Sequence, residues 1–197
     1  GRWEQTMMLA VSLLLATGNQ LAAAPAVSGA AQPSPTVVRL GPRSGKLKFQ
    51  AFSRLTDPFG DFGSWRGEVT IPNNDLSQAT VMVRVELSTI NTNNKKRDTH
   101  LQNQDFFNVP KWPVAVFRAK GLKPLGNDRY QVNGQLKMMG QSQSVSFPAT
   151  VLWRGGKLSV KADFKIDRTL WGMTGYLSAF SMNPIKKSVR VLFDLKS

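Results

Sequence analysis

The sequence predicts an all-β fold, an eight-stranded antiparallel up-and-down barrel with one short helix inserted between the third and fourth strands. Three observations lead there. Eight runs alternate apolar and polar residues, the period of a strand with one buried face. Most connections between them are of hairpin length, so neighbours in sequence are expected to pair antiparallel. Each run is apolar on one side only, and closing the sheet removes the edges that an open one would expose.

In chain order, the first run is Lys46 to Ala51, with Leu47, Phe49 and Ala51 on one face. Asp57 to Gly63 reads as a loop, because its glycines supply backbone freedom. Gly67, Val69 and Ile71 form the second run, followed by an Asn73-Asn74-Asp75 turn, and Val81, Val83, Val85 and Leu87 form the third. The polar, Asn-rich stretch Ser88 to Asn94 then leads to the helix.

That helix lies in Arg97 to Phe117, between two strand-like runs. Thr99 and Gln102 have capping-box spacing, which predicts a helix starting near Asp98, running through Leu101 and ending before Pro110. Arg97 and Asp98 are expected to make a local ion pair, with Asp98 favoured at the helix start. Phe106 and Phe107 would then point about 100° apart on the helix, one packing on the sheet and one facing a cavity or rim.

Beyond Pro113, Ala115, Phe117 and Ala119 share the inner face of the fourth run. Tyr130, Val132, Gly134, Leu136 and Met138 make the fifth, and Val145 to Trp153 the sixth. Arg154-Gly155-Gly156-Lys157 is a hairpin signal leading into the seventh, Leu158 to Ile166. After a long loop in which Trp171, Met173, Tyr176 and Phe180 would cover a barrel end or form a satellite core, Val189 to Leu195 make the eighth. Small residues mixed with phenylalanine on the inner faces favour a cavity over a filled interior.

Composition bounds the function. The apolar run Met7 to Ala16 and the small residues Leu21 to Ala26 read as a signal peptide or leader over residues 1–30, with a Pro/Ala/Ser-rich linker over 31–42 and the domain over 43–197. A periplasmic or secreted location is therefore expected. With no cysteine, a disulfide framework is not. Net charge is +14 and stays there when Arg2 and Glu4 leave with the leader, so the folded part is basic and attracts polyanions or anionic lipid surfaces.

The residues offer little for catalysis. No cysteine and a single histidine, His100, leave neither a thiol nucleophile nor a His/Cys metal cluster, so no metal or cofactor is expected. Asp163 and Asp167 lie four apart on a strand, but Asp163 falls opposite the apolar face and reads as solvated. Met138 to Ser142 lacks the spacing of a phosphate loop. The chain is not expected to be an enzyme.

The run Arg97-Asp98-x-His100-Leu101-x-x-x-Asp105-Phe106-Phe107, followed by Pro113 and Phe117, resembles the central signature of the YceI-like family of polyisoprenoid-binding proteins. The likeness extends from about Gly45 to Ser197, through Gly60 to Gly67, Gly134 to Gly140 and Phe164 to Arg168. It implies a lipocalin-like barrel holding a long isoprenoid chain, such as a polyprenyl phosphate or a quinone tail. On this sequence it points to Phe49, Phe106, Phe107, Phe117 and Phe164 along the tube, with Arg97 and His100 as polar contacts. Trp65, Lys137-Met138-Met139 and Trp171-Gly172 depart from the usual pattern and would reshape the pore.

The function expected is therefore to carry or sequester an isoprenoid-type lipid, exchanged at an anionic membrane surface. The alternative is a polyanion-binding or nucleic-acid-binding barrel. It needs aromatics alternating with Lys and Arg on an exposed face, whereas here they share a face with Val and Leu, so no specific nucleic acid is expected. A homodimer is compatible with the sequence.

Overall fold

Alternation of inward apolar and outward polar residues produces one antiparallel sheet. In the computed structural model, residues 29–177 and 181–197 are described. Residues 1–28 of the leader expected over 1–30, and the loop residue Phe180, lie outside them. The strands are β1 (Thr36–Leu40), β2 (Gly45–Gln50), β3 (Phe59–Phe62), β4 (Trp65–Ile71), β5 (Thr80–Glu86), β6 (Ile90–Asn91), β7 (Val114–Gly126), β8 (Arg129–Met138), β9 (Gln141–Arg154), β10 (Lys157–Asp167) and β11 (Ser188–Lys196). Their order in the sheet is β1-β4-β5-β7-β8-β9-β10-β11-β2-β3-β6, all within the unit Pro33–Ser197.

The sheet thus has eleven strands among the described residues rather than eight, for three reasons. Thr36–Leu40, expected to be linker, pairs along β4 with Val38 opposite Val69. Phe59–Phe62, expected to be loop, is a strand whose Gly60 sits opposite Phe49. Ile90–Asn91 adds a short strand in the Asn-rich stretch, paired with Asp61 and Phe62. Bends at 63–64 and 87–89 separate β3 from β4 and β5 from β6. They are tied together: Gly63 N donates to Thr89 O at 3.0 Å, Ser64 N to Thr89 Oγ1 at 3.0 Å and Glu86 N to Ser64 O at 3.0 Å.

The long strands β7 to β11 follow the expected alternation except in the second half of β7, where register shifts against β8 after Ala119 and after Pro124 bring Leu122 inward. The β9–β10 hairpin turns at Gly155 and Gly156, both at positive φ (57° and 73°), with Arg154 paired to Lys157. The last strand returns to the first predicted one, setting Val191 opposite Phe49 and Phe193 opposite Leu47. The inner face is a continuous apolar core in which Ile71, Leu87 and Trp171 are the most completely buried large side chains.

The helix differs from expectation. α1 spans Lys95–Leu101, and its N-cap is Asn94, whose side chain accepts from Arg97 N at 3.0 Å. Thr99 instead turns back to donate to Lys95 O at 3.0 Å. The cap therefore sits about one turn earlier than the Thr99–Gln102 pattern predicted. Phe106 and Phe107 lie beyond the helix, in the turn that follows it.

Outside the tube, Asp163 is gripped by Arg190 through two bonds of 2.6 and 2.7 Å, which hold its carboxyl below the ordinary carboxylate range. Asp167 caps the 3-10 turn Arg168–Trp171 through Thr169 N. Neither carboxylate addresses a shared site. Because the folded-state affinity of Asp163 for protons is depressed, its stabilising contribution is present above the unfolded carboxylate value of 3.8 and is lost as pH falls through the lower folded value. Acid titration of stability should be shallower in Asp163→Asn than in the native chain, as read by circular dichroism.

Close approach makes one glycine indispensable. A Cβ on Gly134 would lie 2.4 Å from Phe117 Cζ and 2.6 Å from Arg118 O, so the Phe117 ring lies flat over a backbone without a side chain. Gly134→Ala should cost about 1–3 kcal/mol in urea unfolding, since the contact with the Arg118 carbonyl cannot be relieved by a rotamer change.

Candidate functional site: an apolar tube and its mouth

The inward face of β2, β4, β5 and β7 to β11 walls two adjoining cavities, and a third adjoins them at the helix, lined by α1 and the connecting segments. The innermost, 110 Å³, is lined by Leu40, Trp65, Val69, Leu122, Val151 and Leu195 among others. The second, 250 Å³, lies toward the helix and is walled by Phe49, Phe62, Phe107, Val191 and their neighbours. Phe117, Phe147 and Phe193 belong to the walls of both, so they form the partition between them. Phe147 stacks on Phe164 at 4.1 Å with ring planes 2° apart, and Phe193 meets both rings edge-on.

The third cavity, 260 Å³, is the polar end. Ser53, Thr56, Thr92, Arg97, His100, Tyr176 and Asn183 line it together with Phe49 and Phe106, which also wall the middle cavity. The file therefore runs from an apolar lining to a mouth where polar side chains join a still largely apolar wall. All seven residues singled out from the sequence touch it: Phe49, Phe106, Phe107, Phe117 and Phe164 in the tube, Arg97 and His100 at the mouth.

Local structure explains the mouth. Arg97 and Asp98, adjacent on α1, do not pair with each other; both grip Thr92. Arg97 Nε donates to Thr92 Oγ1 at 2.8 Å and its Nη2 to Thr92 O at 2.6 Å, while Asp98 Oδ1 accepts from Thr92 N at 2.9 Å and from Thr92 Oγ1 at 2.6 Å. Buried Thr92 thereby fixes the helix against β6 and presents the Arg97 guanidinium to the cavity. His100 Nε2 lies 3.3 Å from Asp105 Oδ2 and 3.1 Å from Tyr176 Oη. Carrying a proton it donates to Asp105; without one it accepts from the Tyr176 hydroxyl. Phe106 stacks on Tyr176 at 5.7 Å and packs edge-on to His100 at 5.2 Å, making one aromatic wall of three rings.

The sequence reading missed Arg168. Its side chain is buried and reaches four main-chain carbonyls: Nε donates to Lys186 O at 3.1 Å, Nη1 to Met173 O at 2.7 Å, and Nη2 to Gly175 O and Ile185 O, both at 2.9 Å. Burial lowers its affinity for the proton from the ordinary guanidinium value, with Asp167 opposing. It also lies 6.0 Å from the Phe106 ring and lines the middle cavity. The family likeness includes Arg168 at the end of Phe164 to Arg168, but nothing local shows its role, because its partners are carbonyls up to 18 residues away.

The YceI-like domain pattern matches residues 39–197. The chain belongs to the YceI-like family. A UPF0312 protein of Pseudomonas paraeruginosa is 32% identical over 153 residues, covering 77% of this chain and 78% of that one. A UPF0312 protein of Azotobacter vinelandii is 30% identical over 111 residues, and there the chain spans little more than half the relative's length, 56%. Among solved structures, BcnA of Burkholderia cenocepacia shares the fold at a TM-score of 0.67 and 21% identity, covering 77% of this chain and 96% of that one. A polyisoprenoid binding domain from Saccharophagus degradans implicated in plant cell wall breakdown does so at 0.62 and 13%, covering 82% and 98%. The YceI-like fold is thus an all-β, mostly antiparallel sheet with one helix, curled as a half-barrel about its apolar face.

Among the described residues, no group of three or more His, Cys, Asp or Glu is placed to hold a metal ion, and no helix is long and apolar enough to cross a membrane. Replacing Arg168 by Leu would leave four carbonyls without their donor. We expect a loss of about 3 kcal/mol or more and faster hydrogen exchange at the Ile185 amide, which bonds Tyr176 O at 2.7 Å in the strap that Arg168 holds.

Proposed function

We infer that this protein carries or sequesters a single long-chain, isoprenoid-type lipid, with the chain in the aromatic tube and the polar end at Arg97 and His100. The observation that carries the reading is the file of cavities itself, apolar throughout its depth and joined by polar side chains, Arg97 and His100 among them, only at one end. Its membership of the YceI-like family and its fold likeness to a protein described as a polyisoprenoid binding domain point the same way. In this reading β3 runs on into β4 and β5 into β6 across their bends. With those two pairs counted as single staves and β1 left outside, the wall is an eight-stave barrel.

Energetics define what such a tube can do. Burying roughly 40 prenyl carbons at about 0.8 kcal/mol each formally exceeds the ceiling of about 18–21 kcal/mol for noncovalent affinity, so ordering costs absorb much of the gain. Against a bilayer, where the chain already lies in hydrocarbon, the net gain is small. The protein is thus suited to exchanging lipid with a membrane. The aromatic partition adds a further requirement: Phe117, Phe147 and Phe193 must turn aside for a chain to pass from the middle cavity to the innermost one.

Nothing in this reading calls for catalysis or a cofactor. The polyanion alternative draws on the +14 charge, but stacking needs outward aromatics, and Phe117, Phe147, Phe164 and Phe193 all face the core. Delipidated protein titrated with prenyl quinones of graded tail length should show saturable quenching of tryptophan emission, since Trp65 lines the innermost cavity and Trp171 is buried in the core. Val191→Trp, which fills the middle cavity, should weaken that binding roughly tenfold or more. Unsaturable quenching at every tail length would contradict the reading.

A further inference from the structure

The charged and apolar surface around the mouth is organised in a way the tube does not require. Two strips of chain are zipped together there. Ser53 bridges to Ile185, Arg54 N donates to Pro184 O at 3.3 Å, Leu55 N to Asn183 Oδ1 at 3.1 Å, and Lys186 N to Phe52 O at 2.8 Å. Ile185 N in turn bonds Tyr176 O. The backbone is well paired, yet the tips are apolar and turned to solvent: Leu55 is 71% exposed and Met182 93%. Tyr176 and Leu177 are exposed on the same strip.

Single exposed apolar side chains are ordinary on a protein surface, but four large ones, Leu55, Met182, Tyr176 and Leu177, on one well-bonded pair of strips make a candidate contact patch. The charge beside them indicates the partner. Arg54, Lys186 and Lys187 flank the tips and are all exposed, while Lys165 lies over the Phe52 ring at 5.3 Å. Asp57 stands among them, its Oδ1 accepting from Ser53 N at 3.2 Å, which leaves a net positive rim. The strips are also continuous with the lipid path, since Ser53, Thr56, Pro58, Tyr176, Asn183 and Ile185 line the polar mouth cavity.

We propose that the paired strips 53–59 and 181–187, with Tyr176 and Leu177, dock the mouth onto an anionic bilayer. Leu55 and Met182 enter the boundary between headgroups and acyl chains, and Arg54, Lys186 and Lys187 contact lipid phosphates. This deepens the carrier reading and rests on it only for its purpose. Apolar area combined with attraction to anionic headgroups is the combination that holds proteins at an interface without spanning it. A general attraction of a +14 chain to negative vesicles would use no particular side chain; this surface depends on two apolar ones.

The test is flotation of the full chain with vesicles of equal parts phosphatidylglycerol and phosphatidylcholine. Leu55→Ser combined with Met182→Ser should lower partitioning roughly tenfold or more, and Arg54→Ser with Lys186→Ser should do likewise at low salt. Both pairs are surface changes, so thermal melting should stay unchanged. Partitioning unaffected by the Leu55/Met182 pair overturns the proposal. So does a native dimer that this pair dissolves while vesicles are ignored, which would assign the strips to self-association. Prenyl quinone titration of the same variants separates the two readings: vesicle binding lost with quenching retained supports the docking surface. Quenching absent from every form, with vesicle binding still dependent on Leu55 and Met182, sinks the carrier reading and leaves docking standing.

Discussion

A guanidinium held by carbonyls fixes the mouth of this molecule. Arg168 ends the chain's run along β10 and gathers Met173, Gly175, Ile185 and Lys186, which closes the strap between β10 and β11 over the tube. Trp171 is drawn into the core beside it, with its indole nitrogen donating to Leu136 O at 2.8 Å. Tyr176 then reaches His100 and Phe106 on the other side of the opening. A buried charge satisfied this way costs much desolvation and returns little net stability, so its use here is geometric: it specifies one conformation for a long connection.

From that fixed rim inward, the chemistry is set by alternation. Alternation along the long strands places Phe117, Phe147, Phe164 and Phe193 on the concave side, and glycines at Gly60 and Gly134 let Phe49 and Phe117 lie against bare backbone. The same aromatic rings that fill space also divide it, leaving separate cavities in place of one open bore. Outside, the polar face carries the basic surplus.

How much of this could be read beforehand depended on the range of the interaction concerned. Strands β7 to β11 were legible because each is at least nine residues long and carries a run of alternation, even though that of β7 breaks after Ala119. β3 and β6 were not, being four and two residues long and made from Gly-, Asp- and Asn-bearing stretches that look like turns. β1 hid in a Pro- and Ala-rich composition and becomes a strand only by pairing with β4. The helix was placed correctly but started late, because the Thr99–Gln102 pattern competed with Asn94, the residue that caps it. Phe49, Phe117 and Phe164 were assigned to the inner side by their strand face, and it is there that they lie, whereas the role of Arg168 depends on distant carbonyls that no local pattern shows.

The central claim is that the interior is a lipid site and not merely a loosely filled core. Native mass spectrometry of protein purified without detergent, followed by organic extraction of whatever accompanies it, addresses this most directly. The account predicts a mass above that of the chain by one lipid, and recovery of a long prenyl-type chain. A clean apo mass that also fails to shift when prenyl lipids are added would contradict it, and would make the phenylalanine partition a plug instead of a passage.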